Sequence, residues 1–382
     1  MISVKGAAKM SHKFYLTKNI QPEVDGMKNV LFFNDNNIHS RAKWIAKNID
    51  AHNGSLIVLD HNCHILNNVQ RNLQKKNYYI ETVDMRRPHE TIHINPFDIV
   101  TNIAEIHFLF LNFLYAMWDN TDDDIPAMTN LIDALASLVF YMFKDNPQKR
   151  NMYAMKKMVS SLTSICNAED GSKQRMTDAI FANFKDQDAM PCKYYTQYKR
   201  FANDREDVVA NKVVELFSMF TENELEMMSK TDAFLKDSFE FKTAVFLNVN
   251  KETEEKTSRL ILILLNAYIQ TFESNELPIL FVFDNLNAQH VYVSLPQWML
   301  DANQQNIGYL VVCDNMTQFT QTDNLKKYFE NIKNSVCASV LAHHNENIPT
   351  TNNLPSTFSE MNAVEEIVAT VLYDDTMQKD IL

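Results

Sequence analysis

Apolar residues follow two different periods along this chain. Near both ends they form short unbroken runs that stop at a polar residue, the pattern of strands buried on both faces of a parallel sheet. In the middle they recur every three to four residues, the pattern of amphipathic helices. The clearest run is Leu277-Pro278-Ile279-Leu280-Phe281-Val282-Phe283, ending at Asp284-Asn285. After it, Leu295, Trp298, Met299 and Ala302 share one helical face, and a second run, Tyr309-Leu310-Val311-Val312-Cys313, ends at Asp314-Asn315. Strand, helix and strand in this order predict a right-handed βαβ unit with both polar ends at one sheet edge.

The beginning of the chain reads the same way. Residues 28–33 predict a strand, Asn34-Asp35-Asn36-Asn37 a polar turn, and 38–52 a helix with Ala42, Trp44, Ile45 and Ile49 facing inward. Residues 55–60 predict a strand ending on Asp60, 64–76 a helix and 78–83 a third strand, with Asn95-Pro96-Phe97 as an exit turn. Residues 1–25 are polar and weakly patterned, an arm or an edge strand. Between 102 and 240, helices are expected over 103–118, 127–143, 151–162, 174–184 and 208–220, broken by acidic runs at 119–124 and 186–188. Residues 243–249 return to strand, 258–273 to an apolar helix, 323–334 to a helix and 335–342 to a strand. Residues 361–372 fit a final strand and a short helix, and His343-His344 reads as an exposed loop pair. The expected fold is therefore an α/β domain built from residues 1–100 and 241–382, with an all-α insertion over 101–240.

Composition narrows the class. With 382 residues, 46% hydrophobic and 22% charged, the chain is an ordinary globular one. A net charge of −12 argues against a broad nucleic-acid footprint. Five scattered cysteines form no CxxC pair, which points to a reducing compartment. Residues 1–26 lack the apolar core of a secretory signal, and the apolar run 108–118 is shorter than the roughly 20 residues a bilayer span needs. Only five glycines occur, Gly6, Gly26, Gly54, Gly171 and Gly308, and none lies in a Gly-rich loop of the kind that lets backbone approach a phosphate.

In order and spacing the motifs resemble the TraG/TraD-like type IV coupling ATPases of conjugation and secretion, over residues 28–341. The family's first strand and P-loop, roughly NVLVVGGSGSGKS, are matched by Asn29-Val30-Leu31-Phe32-Phe33-Asn34-Asp35-Asn36-Asn37-Ile38-His39-Ser40. Its DPKGEL-like strand end is matched by Asp60-His61-Asn62-Cys63-His64-Ile65, and its asparagine–proline pair by Asn95-Pro96. The segment closing its helical insertion is similar to Val214-Glu215-Leu216-Phe217. Its LLDEFAN strand corresponds to Val282-Phe283-Asp284-Asn285-Leu286-Asn287, and its ILQSLAQL strand to Val312-Cys313-Asp314-Asn315-Met316-Thr317-Gln318-Phe319. The resemblance implies a RecA-like, mostly parallel P-loop-NTPase-type sheet. It also implies a nucleotide pocket at Asn36, Asn37, His39, Ser40 and Asp284, where Asp284 is the counterpart of the metal-holding acid.

The departures from the family pattern strike the catalytic positions. His39 stands for the phosphate-binding lysine, Asn285 for the water-polarising glutamate and Asp314 for the phosphate-sensing glutamine. Asn303 and Gln305 stand for the arginines, and only Ser40 keeps a magnesium-type hydroxyl. Each charge-assisted bond lost is worth about 1.5–3 kcal/mol, and several are lost together. Neutral His39 and the amide of Asn285 replace little of this. The expectation is a degenerate pocket with no catalytic residue, no ATP–magnesium cofactor and no resident metal. In that reading the chain is a pseudo-ATPase that binds or assembles protein partners of a transfer complex, an active coupling ATPase or a relaxosome protein among them. It would be cytoplasmic, without a membrane span, and brought to the inner membrane face by those partners.

Two other readings stay open. An active hexameric ATPase with an atypical P-loop would need a substitute cation, Arg41 or Lys43. A DNA-binding adaptor would bind in a salt-dependent way, against the acidic charge. Elsewhere the ordinary structural readings are preferred. Asp284 would cap a helix or turn. His52, His61, Cys63 and His64 match no zinc spacing. Arg86-Arg87 would be a solvated loop, and the nineteen methionines would fill the core or line an adaptable groove.

Overall fold

The structure is a computed structural model that describes residues 11–13, 23–25, 29–34, 38–61, 63–83, 92–118, 122–167, 171–232, 241–249, 252–270, 277–284, 286, 292, 294–302, 306–313, 316–336, 338–343 and 368–373. The chain divides into two compact units. One gathers Met1–Val83, Lys236–Glu252 and Phe272–Leu382; the other gathers Asp84–Leu235 and Thr253–Thr271.

In the first unit, β1 (Ser11–Lys13) and β2 (Glu23–Asp25) pair antiparallel at the start of the chain. The main sheet uses β3 (Val30–Asn34), β4 (Ser55–His61) and β5 (Tyr79–Val83) from the first part of the chain. Among the described residues the second unit, expected to be all-α, contributes a short hairpin, β6 (Ile165–Asn167) with β7 (Lys173–Arg175). The last part of the chain returns to the main sheet with β8 (Thr243–Val249), β9 (Ile279–Phe283), β10 (Ile307–Cys313), β11 (Ala338–His343) and β12 (Val368–Tyr373). Their spatial order is β12-β11-β3-β10-β9-β4-β8-β5. All neighbours are parallel except β12, which closes one edge antiparallel to β11. The ambiguous segment near residue 368 is thus a strand, and His343, read as a loop residue, ends β11.

Every residue of β9 and β10 is buried, which explains their unbroken apolar runs. Alternate side chains build one core: Val30 and Phe32, Leu56 and Val58, Leu280 and Val282, and Leu310 and Val312 meet Trp44, Ile45, Ile49, Ile65, Val69 and Leu73. The last six belong to the helices Ile38–Ala51 and His64–Lys75, which therefore cover the same face. Trp44 stacks on Phe32 with ring centroids 4.0 Å apart, setting the first helix on β3.

The opposite end of the sheet is pinned by Asn29. Its amide donates to the carbonyl oxygens of Met299 (2.6 Å) and Ser335 (2.9 Å), and its oxygen accepts from the Tyr309 N–H at 3.1 Å. Nearby, Gly54 lies so close to Pro278 that an added Cβ would come within 1.9 Å of the proline carbonyl oxygen. That approach lets the Ser55 N–H reach the same oxygen at 2.8 Å.

The second unit is mainly helical. Asn102 and Asn151 cap the helices Ile103–Met117 and Met152–Ser160, and Thr221 with Glu224 forms a capping box on Glu222–Met227. Ile125–Met142 is the one helix among the described residues long and apolar enough to cross a membrane, and it is buried for most of its length within the fold. Met117, Met128, Met152, Met155 and Met227 fill the core, whereas Met142 is exposed. The helix Met190–Ala202 is absent from the predicted elements. Its buried face is made of Cys192, Tyr195, Tyr198 and Ala202, and Pro191 lies in its first turn, so the apolar signal is carried by residue types that also suit loops and strands.

Candidate functional site

Because β3, β10, β9 and β4 are parallel neighbours, their carboxyl ends share one edge of the sheet. Ligands of open α/β sheets bind outside such an edge. Here it receives the end of β3, the start of the Ile38–Ala51 helix, Asp284 directly after β9, and Asp60 and His61 at the end of β4. Three residues separate the last residue of β3 from the first of the helix.

Arg41 belongs to the first turns of that helix, yet only 3% of its side chain is exposed. Its Nε stands 2.7 Å from Asp284 Oδ1, whose side chain is 4% exposed. The N–H direction does not complete a hydrogen bond to that oxygen, so the contact is a coulombic one. On the other side, His61 Nδ1 lies 3.4 Å from Asp284 Oδ2. Both ring nitrogens of His61 are buried and make no hydrogen bond. Asp284, which the sequence reading left as a cap of a helix or turn, is instead held between a guanidinium and an imidazole.

Asp60 has a different task. It is fully buried, and its two carboxylate oxygens accept the backbone N–H groups of Ile65 (2.9 Å) and Leu66 (2.8 Å). It thereby caps the His64–Lys75 helix, whose preceding residue Cys63 adopts a left-handed φ of 57° and offers no side-chain cap. Burial pushes the Asp60 carboxyl up to about 6; the two backbone hydrogen bonds oppose this, and the Asp284 charge adds to it.

The predicted pocket residues are distributed as follows. Asp284 is at the edge, buried. His39 and Ser40 lie in the first turn of the Ile38–Ala51 helix, where their backbone alone is described. Asn36, Asn37, Asn285, Asn303, Gln305 and Asp314 lie outside the described residues, as do Arg86 and Arg87. Of the two cations considered as substitutes, Arg41 is turned to Asp284 and Lys43 is exposed. His52 is committed elsewhere, its Nε2 3.1 Å from the Ser55 carbonyl oxygen. Among the described residues no three of His, Cys, Asp or Glu converge in a metal-holding group. Nothing in the sequence announces the Arg41–Asp284 contact, because the two residues lie 243 positions apart and meet only when β3 and β9 flank β10.

No protein-family model and no curated protein sequence matches this chain. Solved structures do resemble it. The plasmid coupling protein TrwB in complex with ADP and Mg2+ aligns with a TM-score of 0.52 at 11% identity, covering 82% of this chain and 70% of that one. The trigonal form of the bacterial conjugative coupling protein TrwBdeltaN70 with sulphate aligns with a TM-score of 0.51 at 11% identity, over 82% and 69% of the two chains. VirB4 of Thermoanaerobacter pseudethanolicus is also found, at 12% identity and a TM-score of 0.47, over 83% and 78%. The TrwB structures establish the fold: this chain shares their mostly parallel, P-loop-NTPase-type sheet flanked by helices, as the motifs implied.

Proposed function

We propose that this chain is a non-hydrolysing relative of the conjugative coupling proteins, acting as a binding or assembly component of a DNA- or protein-transfer apparatus. The observation that carries this reading is the buried contact between Arg41 and Asp284. In an NTPase of this fold the acid after the central strand faces a magnesium ion and the phosphates it bridges. Here a guanidinium of the same chain already neutralises that acid. A second cation brought to Asp284 would meet the charge of Arg41 at close range, and Asp60 has both oxygens engaged by backbone N–H groups.

The connection after β3 supports the same conclusion. Its residues, 35–37, include neither glycine nor lysine, the types that a phosphate-wrapping loop relies on. The residues at this edge do not suit a magnesium nucleotide, and no hydrolytic step is assigned to them. With catalysis set aside, the work of the protein is contact: a partner such as an active coupling ATPase or a relaxosome protein, met in the cytoplasm or at the inner membrane face.

Calorimetric titration of the full chain with Mg·ATP, run beside a phosphate-release assay, tests this. The expected result is neither binding heat nor release at millimolar nucleotide. Binding with turnover would overturn it in favour of a hexameric coupling ATPase with an atypical loop, in which Arg41 leaves Asp284 for the phosphates or Lys43 reaches them.

A further inference from the structure

In the second unit, Asp133 lies in the middle of the Ile125–Met142 helix and is 1% exposed. Every residue from Leu131 to Val139 is buried, and in that stretch the polar side chains are Asp133 and Ser137, one helical turn apart. Asp133 Oδ2 stands 2.6 Å from Nδ1 of His107, which belongs to the Ile103–Met117 helix. Asp133 Oδ1 and Ser137 Oγ are buried and make no hydrogen bond. A lone carboxylate in such surroundings is costly unless it is paired or protonated. His107 is 35% exposed, so it links this buried acid to solvent.

We propose that His107 and Asp133 form a proton-coupled pin of the helical unit: a proton held between them fastens the Ile103–Met117 helix to the Ile125–Met142 helix, and its loss loosens that contact. With the proton present, the pair is neutral overall. Once it leaves, one negative charge remains in the helical core, with a single hydrogen bond from the neutral imidazole to support it.

The other charges on the packed helices do not take this role. Tyr194, on the Met190–Ala202 helix, feels the Asp133 charge and is pushed up by burial first and by that charge second. Lys199 is engaged by Asp178 and Glu206, Lys212 by Asp122 and Asp124, Arg205 by Asp124 and Lys156 by Glu222. Glu105, on the same helix as His107, accepts from Thr101 and Asn102. Lys193 and Arg200 point to solvent.

The electrostatics agree in sign. The hydrogen bond that His107 donates to Asp133 holds the imidazole above its ordinary range against the opposing effect of burial, and burial holds Asp133 above the usual carboxylate range. A raised imidazole contributes stability that is complete below its unfolded value and is lost as pH rises through the folded one. A raised carboxyl likewise binds its proton more tightly in the folded state, so stability again falls as pH rises above the unfolded value. Both groups therefore make the pin strongest in mild acid and weakest in alkali.

NMR titration of the His107 imidazole in the full chain, assigned with His107→Gln, reads the pin directly. A midpoint above the ordinary imidazole value of about 6.5 is expected, falling to or below it in Asp133→Asn. Hydrogen exchange of the two helices, corrected for intrinsic rates, is expected to accelerate severalfold between pH 6 and pH 9, as the proton is lost. That acceleration should vanish in Asp133→Asn. An ordinary or lowered His107 midpoint, or pH-independent protection in the native chain, overturns the proposal, and both are measured on the unmodified protein whether or not the variants fold.

Discussion

Replacing Arg41 by Met removes the guanidinium from Asp284 while keeping most of the side-chain volume. Asp284 then remains 4% exposed, with the His61 imidazole 3.4 Å away as its remaining ion-pair contact among the described residues. Taking one partner from a buried ion pair typically costs about 3–5 kcal/mol, because the other is left uncompensated in a poorly hydrated place. A loss of about 3 kcal/mol is expected here, at the lower end because the imidazole remains. Asp284→Asn should cost about 2 kcal/mol, and the double variant less than the sum, with a coupling of about 2 kcal/mol. With two units in the chain a single melting curve is not two-state, so local stability is the proper readout. Hydrogen exchange of the Ile38–Ala51 helix and of β4 and β9 reports it. Purely additive effects, or a loss below about 1 kcal/mol in Arg41→Met, would refute the claim that this pair neutralises the sheet edge. It would equally be refuted if magnesium raised the protection of the native chain.

Asn29→Ala should destabilise the first unit by about 3 kcal/mol, since three hydrogen bonds end and the buried Tyr309 N–H is left without its acceptor; urea denaturation followed by exchange at β3 and β10 measures it. Gly54→Ala should cost about 1–3 kcal/mol through the clash with the Pro278 backbone, and the loss should appear as weaker protection of the Ser55 N–H. The Asp60 carboxyl, pushed up to about 6, is protonated more readily in the folded chain than in the unfolded one. Its contribution is therefore favourable in acid and is lost as pH rises from about 4 to about 6, an effect of about 3 kcal/mol by linkage. The difference in exchange protection of the His64–Lys75 helix between the native chain and Asp60→Asn, followed from pH 4 to pH 7 and corrected for intrinsic rates, should change with that sign and then level off.

The architecture was legible because its signals are local. Unbroken apolar runs such as Ile279–Phe283 mark strands covered on both faces, and the three- to four-residue period of Ile103–Met117 and Ile125–Met142 marks packed helices. The Met190–Ala202 helix escaped because tyrosines and a cysteine carry its buried face. The candidate site was half legible. Asp60 and Asp284 stand at strand ends, so a polar sheet edge followed from the runs alone.

The sequence by itself determined most strands of the main sheet and most of the helices, since each depends on neighbouring residues. Only the tertiary structure decided what the remaining charged groups do. Placing β10 between β3 and β9 brings Arg41 to Asp284, and packing two helices brings His107 to Asp133. Away from water such charges must find partners, and the partner is set by strand order and helix packing, which no local pattern encodes.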